Sequence, residues 1–390
     1  MHTTPYLIVG GGLTADAACK GIREVDAEGR ITVVTAEAYP PYSRPPLSKE
    51  LWKGTEESSI WRGTEKLGVE LRLGRRIATL DPAAHRATDD RGEVYAYERL
   101  LLATGGRPRR LPFGADEVIY YRTLDDYRRL RALAAAEARF VVIGGGFIGS
   151  EIAAALAMNR RPVTMVFPEP GIGARIFPPD LSASVTDYYR ARDVEVLSGA
   201  TVAAIERVGN TIHVTTGDGR VLETDAVVAG LGLTPSTELA EAAGLYVADG
   251  IVVDDRGRVD GRDDVFAAGD VARFPVAALG GSMRVEHEDH AKSHGRRVGA
   301  NMAGADEPYD HLPFFYSDLF ELGYEAVGEL DSRLRTTADW TDVGRAGTVY
   351  YVDDVGRPRG VLLWNLFGQV DTARELIRAA VPIPTAELVG

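Results

Sequence analysis

The feature that most constrains the fold of this 390-residue sequence is a strand, a glycine turn and a helix that occur twice in the same order. In the first copy, the apolar residues 6–9 precede Gly10, and a second strand leads to Glu37. In the second copy, an apolar strand precedes Gly144, and the strand after the helix ends near Glu169. A unit that occurs only twice predicts two nucleotide-binding layers rather than a solenoid.

The first glycine turn fits a dinucleotide-binding fingerprint. Gly10 would make the tight turn, Gly12 would let the backbone approach a pyrophosphate, and Ala15 would let the helix pack closely on the strand. Glu37 lies about 20 residues further on, where such folds place an acid on the ribose hydroxyls. The alternative interpretation is a glycine-rich turn of any α/β protein.

The second glycine turn has the stricter form, with Gly144, Gly146 and Gly149 at its three positions. Glu169 again follows about 20 residues later, and an acid at this point favours NADH because it repels the additional phosphate of NADPH. Arg175 lies near enough in the sequence to leave NADPH open as a second cofactor. The alternative interpretation of Glu169 is a solvated loop acid.

Two nucleotide sites in one chain favour one bound dinucleotide and one that exchanges. A flavin and a nicotinamide are natural partners because hydride passes between them. An apolar strand leads into Ala103, Thr104 and Gly105, which would cross back between domains, and a later strand ends just before Asp270. Asp270 would accept a hydrogen bond from the ribityl chain of the flavin. Each motif alone is more often a plain strand end, but their order after the two fingerprints favours FAD.

From about Tyr309 the sequence changes to short strands closed by a helix near 372–380. This change predicts a separate α+β unit. The predicted fold class is therefore α/β, with two Rossmann-like dinucleotide-binding domains and a C-terminal α+β domain.

Charge and cysteine content exclude several classes of protein. The formal net charge is −13, which argues against a protein that coats nucleic acid or an anionic membrane. No apolar run approaches the ~20 residues of a membrane-spanning helix. Cys19 is the one cysteine, so the chain cannot form an internal disulfide or a CxxC pair. The N-terminus passes directly into a strand pattern without a basic leader, and we expect a cytoplasmic location.

Five segments carry a family resemblance that spans nearly the whole chain. They are 41–52 (PYSRPPLSKELW), 147–151 (FIGSE), 284–291 (RVEHEDHA), 323–328 (GYEAVG) and 363–367 (LWNLF). Through them the chain resembles the two-dinucleotide-binding flavoprotein reductases, in the ferredoxin-reductase-like group, and most of all its apoptosis-inducing-factor-like branch. The resemblance implies a glutathione-reductase-like fold in three domains. These are an FAD domain at 1–107 and 233–308, an NAD domain at 108–232 and a C-terminal interface domain at 309–390.

The resemblance also implies a set of site residues. Lys49, Glu151 and His287 would be catalytic, with Lys49 paired to Glu151 beside the flavin ring. At FAD, the resemblance implies Arg44, Lys49, Glu286, His287 and Tyr316. They join the residues of the first glycine turn, Glu37, residues 103–105 and Asp270. At the nicotinamide cofactor, the resemblance implies Phe147, Ile148, Glu151, Gly232 and Glu325, together with the glycines of the second fingerprint. Glu169 and Arg175 would hold the adenosine half of this cofactor.

Two of these positions depart from the pattern of the group. Tyr316 stands where many relatives carry tryptophan, and Glu286 with His287 replaces a glutamate–serine pattern typical of ferredoxin reductases. For Lys49, the alternative that the residues alone favour is an exposed lysine after the helix cap Ser48, because buried lysines are rare.

The histidines near 290 invite interpretation as a metal site. His290 and His294 lie one helical turn apart, with His287 just before them. The HExxH pattern is missing, and the resemblance explains the segment without a metal, so we predict none.

These features predict an FAD-dependent NADH oxidoreductase. Its electrons would pass to an iron–sulfur carrier, a quinone or oxygen. Arg107, Arg109 and Arg110 would offer a docking edge to an acidic carrier protein, although the alternative that the residues alone favour is a solvated basic face. The alternative function is a redox sensor, in which a long-lived reduced charge-transfer complex of flavin and nicotinamide controls dimerisation or partner binding. A homodimer is left open.

Overall fold

The computed structural model describes residues 2–114 and 116–383, and its contacts divide them into two units. The described residues of unit 1 lie within 1–43, 58–107 and 234–314. Unit 2 takes residues 44–57, 108–233 and the described residues from Phe315 onward. The assignment of FAD, NAD and interface domains to stretches of the chain stays a prediction.

The α-helices within these described ranges are α1 Leu13–Val25, α2 Leu124–Ala135, α3 Phe147–Met158, α4 Pro179–Arg190, α5 Glu238–Ala242, α6 Glu288–Met302 and α7 Val370–Ala379. The strands of the first half are β1 His2–Val9, β2 Ile31–Val34, β3 Val69–Arg72, β4 Ile77–Asp81, β5 Arg86–Asp89, β6 Val94–Leu102, β7 Gly106–Pro108, β8 Val118–Tyr120, β9 Phe140–Ile143, β10 Val163–Phe167 and β11 Val194–Ser198. The strands of the second half are β12 Val202–Val208, β13 Thr211–Thr216, β14 Val221–Thr224, β15 Ala226–Ala229, β16 Leu233–Pro235, β17 Ile251–Val252, β18 Val265–Ala267, β19 Ala272–Val276, β20 Gly281–Arg284, β21 Phe314–Leu319, β22 Leu322–Gly328, β23 Arg335–Asp342, β24 Ala346–Val352 and β25 Pro358–Trp364.

Unit 1 is built on a seven-stranded sheet in the order β3-β2-β1-β6-β5-β4, with β18 also paired to β6. β1 runs parallel to β2 and β6, and β18 runs parallel to β6. The register aligns Val9 with Val34 and Leu102, and Leu102 with Ala267. Four strands therefore end at one edge, and this is the edge at which open α/β sheets bind ligands.

Helices α1 and α6 of unit 1 pack through small residues. A Cβ at Gly299 would overlap the backbone of Ala18, and a Cβ at Gly21 would overlap the carbonyl of Arg296. Since neither position has room for a side chain, the two helix backbones approach closely. This contact fixes α6 against the helix that follows the first glycine turn.

Unit 2 contains a second, wholly parallel sheet in the order β11-β10-β9-β15-β8. Ile143 at the end of β9 aligns with Val166 and Ala229 in the neighbouring strands. The helix α3 begins just past the second glycine turn, where the sequence places it. Together with unit 1, this sheet confirms the predicted α/β class with two dinucleotide-binding folds.

The C-terminal part of unit 2 is a five-stranded sheet in the order β21-β22-β25-β24-β23. The pairs β22–β25, β24–β25 and β23–β24 are antiparallel, and α7 packs on β22 and β25 with Ile377 fully buried. This arrangement confirms the predicted α+β character of the C-terminal segment. No helix among the described residues is long and apolar enough to cross a bilayer.

Candidate active site

The first glycine turn joins β1 to α1 in unit 1. Gly10 has φ +119°, and a Cβ there would overlap the carbonyl of Ala103, so both the backbone angle and the close approach require glycine. A Cβ at Gly12 would meet no protein atom within 4 Å, and Ala15 is fully buried under the turn. The turn therefore leaves open space at the N-terminus of α1, as a bound pyrophosphate needs.

The other FAD residues predicted in unit 1 follow the carboxyl ends of the same sheet. The Tyr42 hydroxyl donates to Oε2 of Glu37 at 2.5 Å, which orients this acid just past β2. Past β6, the Thr104 hydroxyl donates to the carbonyl of Ser236 at 2.8 Å, and Gly105 turns the chain with φ +64°. The sheet thus brings Gly10, Glu37 and Thr104 to one edge.

Asp270 and Glu286 are connected through Arg284. The Arg284 guanidinium donates to Oε1 of Glu286 at 2.6 Å and to the backbone carbonyl of Asp270 at 3.2 Å. His287 is the N-cap residue of α6. Although His287 as a residue is only partly buried, desolvation lowers its pKa to about 4, against the opposing charges of Asp270 and Asp289. His287 is therefore neutral at pH 7.

The three histidines of this region do not assemble a metal centre. Within 2–114 and 116–383, no three His, Cys, Asp or Glu side chains are grouped so that they could hold a metal ion. The His290 ring instead stacks on Phe274, and the His294 ring makes a tilted contact with Tyr309, in the core of unit 1.

The second glycine turn repeats the geometry of the first in unit 2. Gly144 has φ +115°, and a Cβ there would overlap the carbonyl of Gly230. A Cβ at Gly146 would meet no protein atom within 4 Å, whereas a Cβ at Gly149 would overlap the carbonyl of Gly144. Gly146 therefore faces the open space, and Gly149 lets α3 pack on the turn. These are the roles that the sequence predicts for them.

The predicted adenosine-binding pair lies beyond the neighbouring strand. Glu169 follows β10, and its Oε1 lies 2.5 Å from a terminal nitrogen of Arg175. The Arg175 side chain is 78% exposed and the Glu169 side chain 21% exposed. Gly232 follows β15 with φ +82°, and its carbonyl accepts the backbone N–H of Arg109 at 3.0 Å. Glu169 and Gly232 therefore follow strands whose carboxyl ends flank that of β9.

Lys49 and Glu151 form a buried ion pair in unit 2, which confirms the predicted pairing and rules out an exposed lysine. Lys49 stands between two short 3₁₀ turns, and Glu151 lies on the buried face of α3. Its Oε1 also accepts the Ser317 hydroxyl and its Oε2 the Ser48 hydroxyl, each at 2.6 Å. The lysine ammonium lies 5.4 Å from the centre of the Tyr316 ring.

The other predicted residues of unit 2 make contacts of their own. Phe147 packs edge-on against Phe315 with ring centres 5.4 Å apart, and Ile148 is exposed at the start of α3. Oε2 of Glu325 accepts the backbone N–H of Gly368 at 3.0 Å. The Arg44 guanidinium donates to the carbonyl of Arg122 at 3.1 Å.

Sequence reasoning missed the residues that hold the site together. Ser317 and Ser48 satisfy Glu151, Tyr42 orients Glu37, and Arg284 bridges Glu286 to the Asp270 turn. Tyr42, Ser48 and Arg284 lie inside motifs that carry the resemblance. The sequence therefore indicates that these positions matter but does not predict their contacts. Ser317 had no signal beyond its place next to Tyr316.

The predicted basic edge is partly occupied by contacts within the protein. Arg107 forms an ion pair with Glu238 in unit 1. In unit 2, the Arg110 guanidinium stacks 4.9 Å from the centre of the Tyr120 ring. These contacts fix the directions of the arginines while the Arg107 side chain stays 56% exposed.

The comparisons with known proteins agree with this geometry. A family model described as pyridine nucleotide-disulphide oxidoreductase matches residues 4–295, and one described as the mitochondrion-associated C-terminal part of apoptosis-inducing factor matches 298–346. The ferredoxin–NAD(+) reductase component of the anthranilate 1,2-dioxygenase system of Burkholderia cepacia is 33% identical and covers 98% of this chain and 97% of its own.

Two further similarities point the same way. Mitochondrial apoptosis-inducing factor 1 of Dictyostelium discoideum is 32% identical over 95% of this chain and 78% of its own length. The crystal structure of the covalent putidaredoxin reductase–putidaredoxin complex superposes with a TM-score of 0.90 at 30% identity, over 98% of this chain and 95% of that one. With glycine turns that fit two dinucleotides, the chain thus belongs to the pyridine nucleotide-disulphide oxidoreductase family, and it is an FAD-dependent NAD(P)H oxidoreductase.

Proposed function

We propose that this oxidoreductase takes hydride from NADH in preference to NADPH and delivers electrons to a small iron–sulfur carrier protein. Bound FAD supplies the chemistry that joins the two reactions, since it accepts hydride and can release electrons singly. The lone Cys19 is buried, and desolvation raises its pKa to about 12, so it is a poor nucleophile and offers no thiol relay. The electrons must therefore leave for an acceptor outside the chain.

The observation that carries the proposal is the buried Lys49–Glu151 pair. Removing a lysine from water is costly unless its charge is paired, and Glu151 supplies that partner. The resulting cation is fixed before any reaction begins. Placed beside a bound flavin, it would stabilise the negative charge that arrives with hydride, which is the usual role of a preorganised charge in an active site.

Glu169 supports the preference for NADH. It follows β10 at the position where this fold places an acid on the adenosine ribose. Its carboxylate would accept hydrogen bonds from the two ribose hydroxyls and would repel the phosphate that NADPH carries there. Arg175 shares this carboxylate at 2.5 Å, so the repulsion is partly neutralised and NADPH should remain a poor substrate rather than an excluded one.

Similarity to reductases of carrier proteins supports a protein carrier as acceptor. The ferredoxin–NAD(+) reductase component is 33% identical to this chain, and the putidaredoxin reductase–putidaredoxin complex superposes on it with a TM-score of 0.90. In unit 2, Arg110, held on the Tyr120 ring, would present positive charge to an acidic carrier. The net charge of −13 makes such a basic edge a distinct feature of the surface.

An anaerobic titration tests the first half of the proposal. We expect NADH to bleach the flavin absorbance faster than NADPH at equal concentration. A ferredoxin, a quinone or air is then offered to the reduced enzyme in separate experiments. Faster reoxidation by ferredoxin supports the proposal, whereas faster reoxidation by quinone or air with an inert ferredoxin would refute the choice of carrier.

A redox sensor is the second candidate, and the match of residues 298–346 to the apoptosis-inducing-factor C-terminal model is the observation that favours it. In that case, the NADH-reduced protein would retain a long-wavelength absorbance band after air is admitted. Size-exclusion chromatography with and without NADH would then reveal a change from monomer to dimer. Rapid reoxidation without a change in elution volume would exclude the sensor.

A further inference from the structure

Four aromatic rings form a stack in the core of unit 1. Phe274 stacks on His290 with ring centres 4.5 Å apart, whereas His290 with His294 at 4.7 Å and His294 with Tyr309 at 4.6 Å make tilted contacts. Phe274 also lies 5.2 Å from His294, so the four rings form one compact group. Both histidines are fully buried. Neither histidine takes part in the electron transfer described above. Burying two imidazoles costs more free energy than filling the same core with leucine.

The stack reaches the turn that carries Asp270. The backbone N–H of Gly269 donates to Nδ1 of His294 at 3.3 Å. To accept this bond, the His294 ring must be neutral, with its proton on Nε2. Desolvation lowers the pKa of His294 to about 3 and so keeps the ring in this state. His294 therefore holds the residue immediately before Asp270.

His290 stabilises the orientation of His294. Its Nδ1 lies 3.1 Å from the Tyr309 hydroxyl, which also lies 2.8 Å from Oγ of Ser293. Burial lowers the pKa of His290 well below its usual value, and the neighbouring histidines His294, His287 and His311 lower it further. His290 therefore packs against His294 as a neutral ring.

Arg284 holds the other end of the turn. Its guanidinium donates to the Asp270 carbonyl at 3.2 Å and is itself anchored by Glu286 at 2.6 Å and Asp249 at 3.2 Å. The backbone N–H of Gly269 and the backbone carbonyl of Asp270 are thus both fixed by hydrogen bonds. Gly269 has φ +73°, in the left-handed region, and the two contacts stabilise this conformation.

We propose that His294 is a positioning residue of the flavin site, which acts through Gly269 to hold the Asp270 carboxylate in place for the ribityl chain. The proposal rests on the role proposed for Asp270 at FAD. Since Asp270 would contribute to binding only when its carboxylate points at the ribityl hydroxyls, a loosened turn lowers FAD affinity without removing any contact. The neutral imidazole is the part of the stack that leucine cannot replace.

The test measures FAD release from full-length holoenzyme by the fluorescence of free FAD after serial dilution. His294→Leu removes the acceptor and should weaken FAD binding by about tenfold. His294→Asn keeps an acceptor oxygen as many bonds from Cα as Nδ1, and should stay within about threefold of the parent. Asp270→Ala should weaken binding by about tenfold or more.

The double variant distinguishes positioning from a general loss of packing. If His294 acts through Asp270, His294→Leu should add almost nothing in the Asp270→Ala background. Phe274→Leu is the matched control, because it disturbs the packing of the same rings, with His294 at 5.2 Å, but keeps the imidazole that accepts the Gly269 N–H. It should lower the free energy of unfolding while FAD affinity remains near that of the parent.

The outcomes separate the two proposals. If Asp270→Ala leaves FAD affinity unchanged, the role of Asp270 fails and the positioning role fails with it. If Asp270→Ala weakens FAD but His294→Leu does not, only the positioning role is rejected. Additive losses in the double variant, or an equal loss from Phe274→Leu, would also reject it and would leave the stack a purely structural feature.

Discussion

Ser317 donates a hydrogen bond of 2.6 Å to Oε1 of Glu151, although the two residues lie 166 positions apart in the chain. The same carboxylate accepts Ser48 on its other oxygen and pairs with the Lys49 ammonium. Three donors satisfy most of the lone pairs of a buried carboxylate. Because a buried ion pair stabilises a fold only when its remaining groups are hydrogen-bonded, the two serines help to keep both charges inside unit 2.

Ser317→Ala should therefore weaken the site without removing a charge. We expect the free energy of unfolding to fall by about 1–3 kcal/mol, since one lone pair of Glu151 loses its donor. Flavin reduction by NADH should slow by about tenfold because Lys49 is held less firmly. Urea denaturation and anaerobic stopped-flow absorbance measure the two effects.

Ser182→Ala is the matched control for this variant. Ser182 is also buried in unit 2, and its hydroxyl donates to the carbonyl of Ile172 at 2.8 Å, away from Glu151. It should cost a similar amount of stability and leave the rate of flavin reduction near that of the parent. Equal slowing in both variants would mean that the rate follows stability and not the position of Lys49.

Lys49→Met tests the charge itself. It leaves Glu151 buried without its cation, which should lower the free energy of unfolding by about 3–5 kcal/mol. The double variant Lys49→Met/Glu151→Leu removes both charges and should recover most of that loss. Flavin reduction should remain slow in the double variant because the cation is still missing. A double variant that regains both stability and rate would show that Lys49 is a structural residue only.

The sequence predicted the parts of this protein that depend on local order. Gly10 and Gly144 sit where a strand meets a helix, and their positive φ angles follow from that junction, so motif spacing was enough to find them. Lys49 looked exposed by its local context, and only the resemblance placed it in a buried pair. Ser317 lies on β21 and meets Glu151 across 166 positions of the chain, and no local pattern carries such a contact.

Glu169 and Arg175 should set the preference between the two nicotinamide cofactors. Glu169→Ala removes the proposed ribose contact and should raise the KM for NADH by about tenfold or more. It should raise the KM for NADPH less, because the repulsion of the phosphate disappears and Arg175 is released from its partner. Steady-state kinetics with both cofactors measure the change in the ratio of kcat/KM.

Two comparisons make this prediction specific. Arg175→Ala should lower kcat/KM for NADPH by about tenfold, because the cation that would offset the phosphate is lost. Glu206→Ala, which removes an exposed acid from β12 of the same unit, should change neither cofactor. If Glu169→Ala lowered kcat/KM for NADPH as much as for NADH, Glu169 would not be the residue that binds the ribose hydroxyls.

The buried histidines of unit 1 predict that stability falls in mild acid. Burial lowers the pKa of His294 to about 3 and that of His290 well below its usual value, with His287 and His311 adding to the lowering at His290. The unfolded chain takes up these protons near pH 6.5. Stability is therefore full above pH 6.5 and is lost progressively as the pH falls toward the pKa of the folded histidines.

Urea denaturation of the holoenzyme between pH 7.5 and 5 should show this loss. Three histidines with lowered pKa, His287 at about 4 among them, give a slope that approaches about 4 kcal/mol per pH unit at the acid end. The carboxylates with lowered pKa, such as Asp26 and Asp89, lose their contribution only near pH 4 and below, since an unfolded aspartate titrates near 3.9. His294→Asn should reduce the slope by roughly a third, because one of the three groups no longer titrates. A parent enzyme with constant stability over this range would mean that the stack accepts protons while folded, in contradiction to its burial.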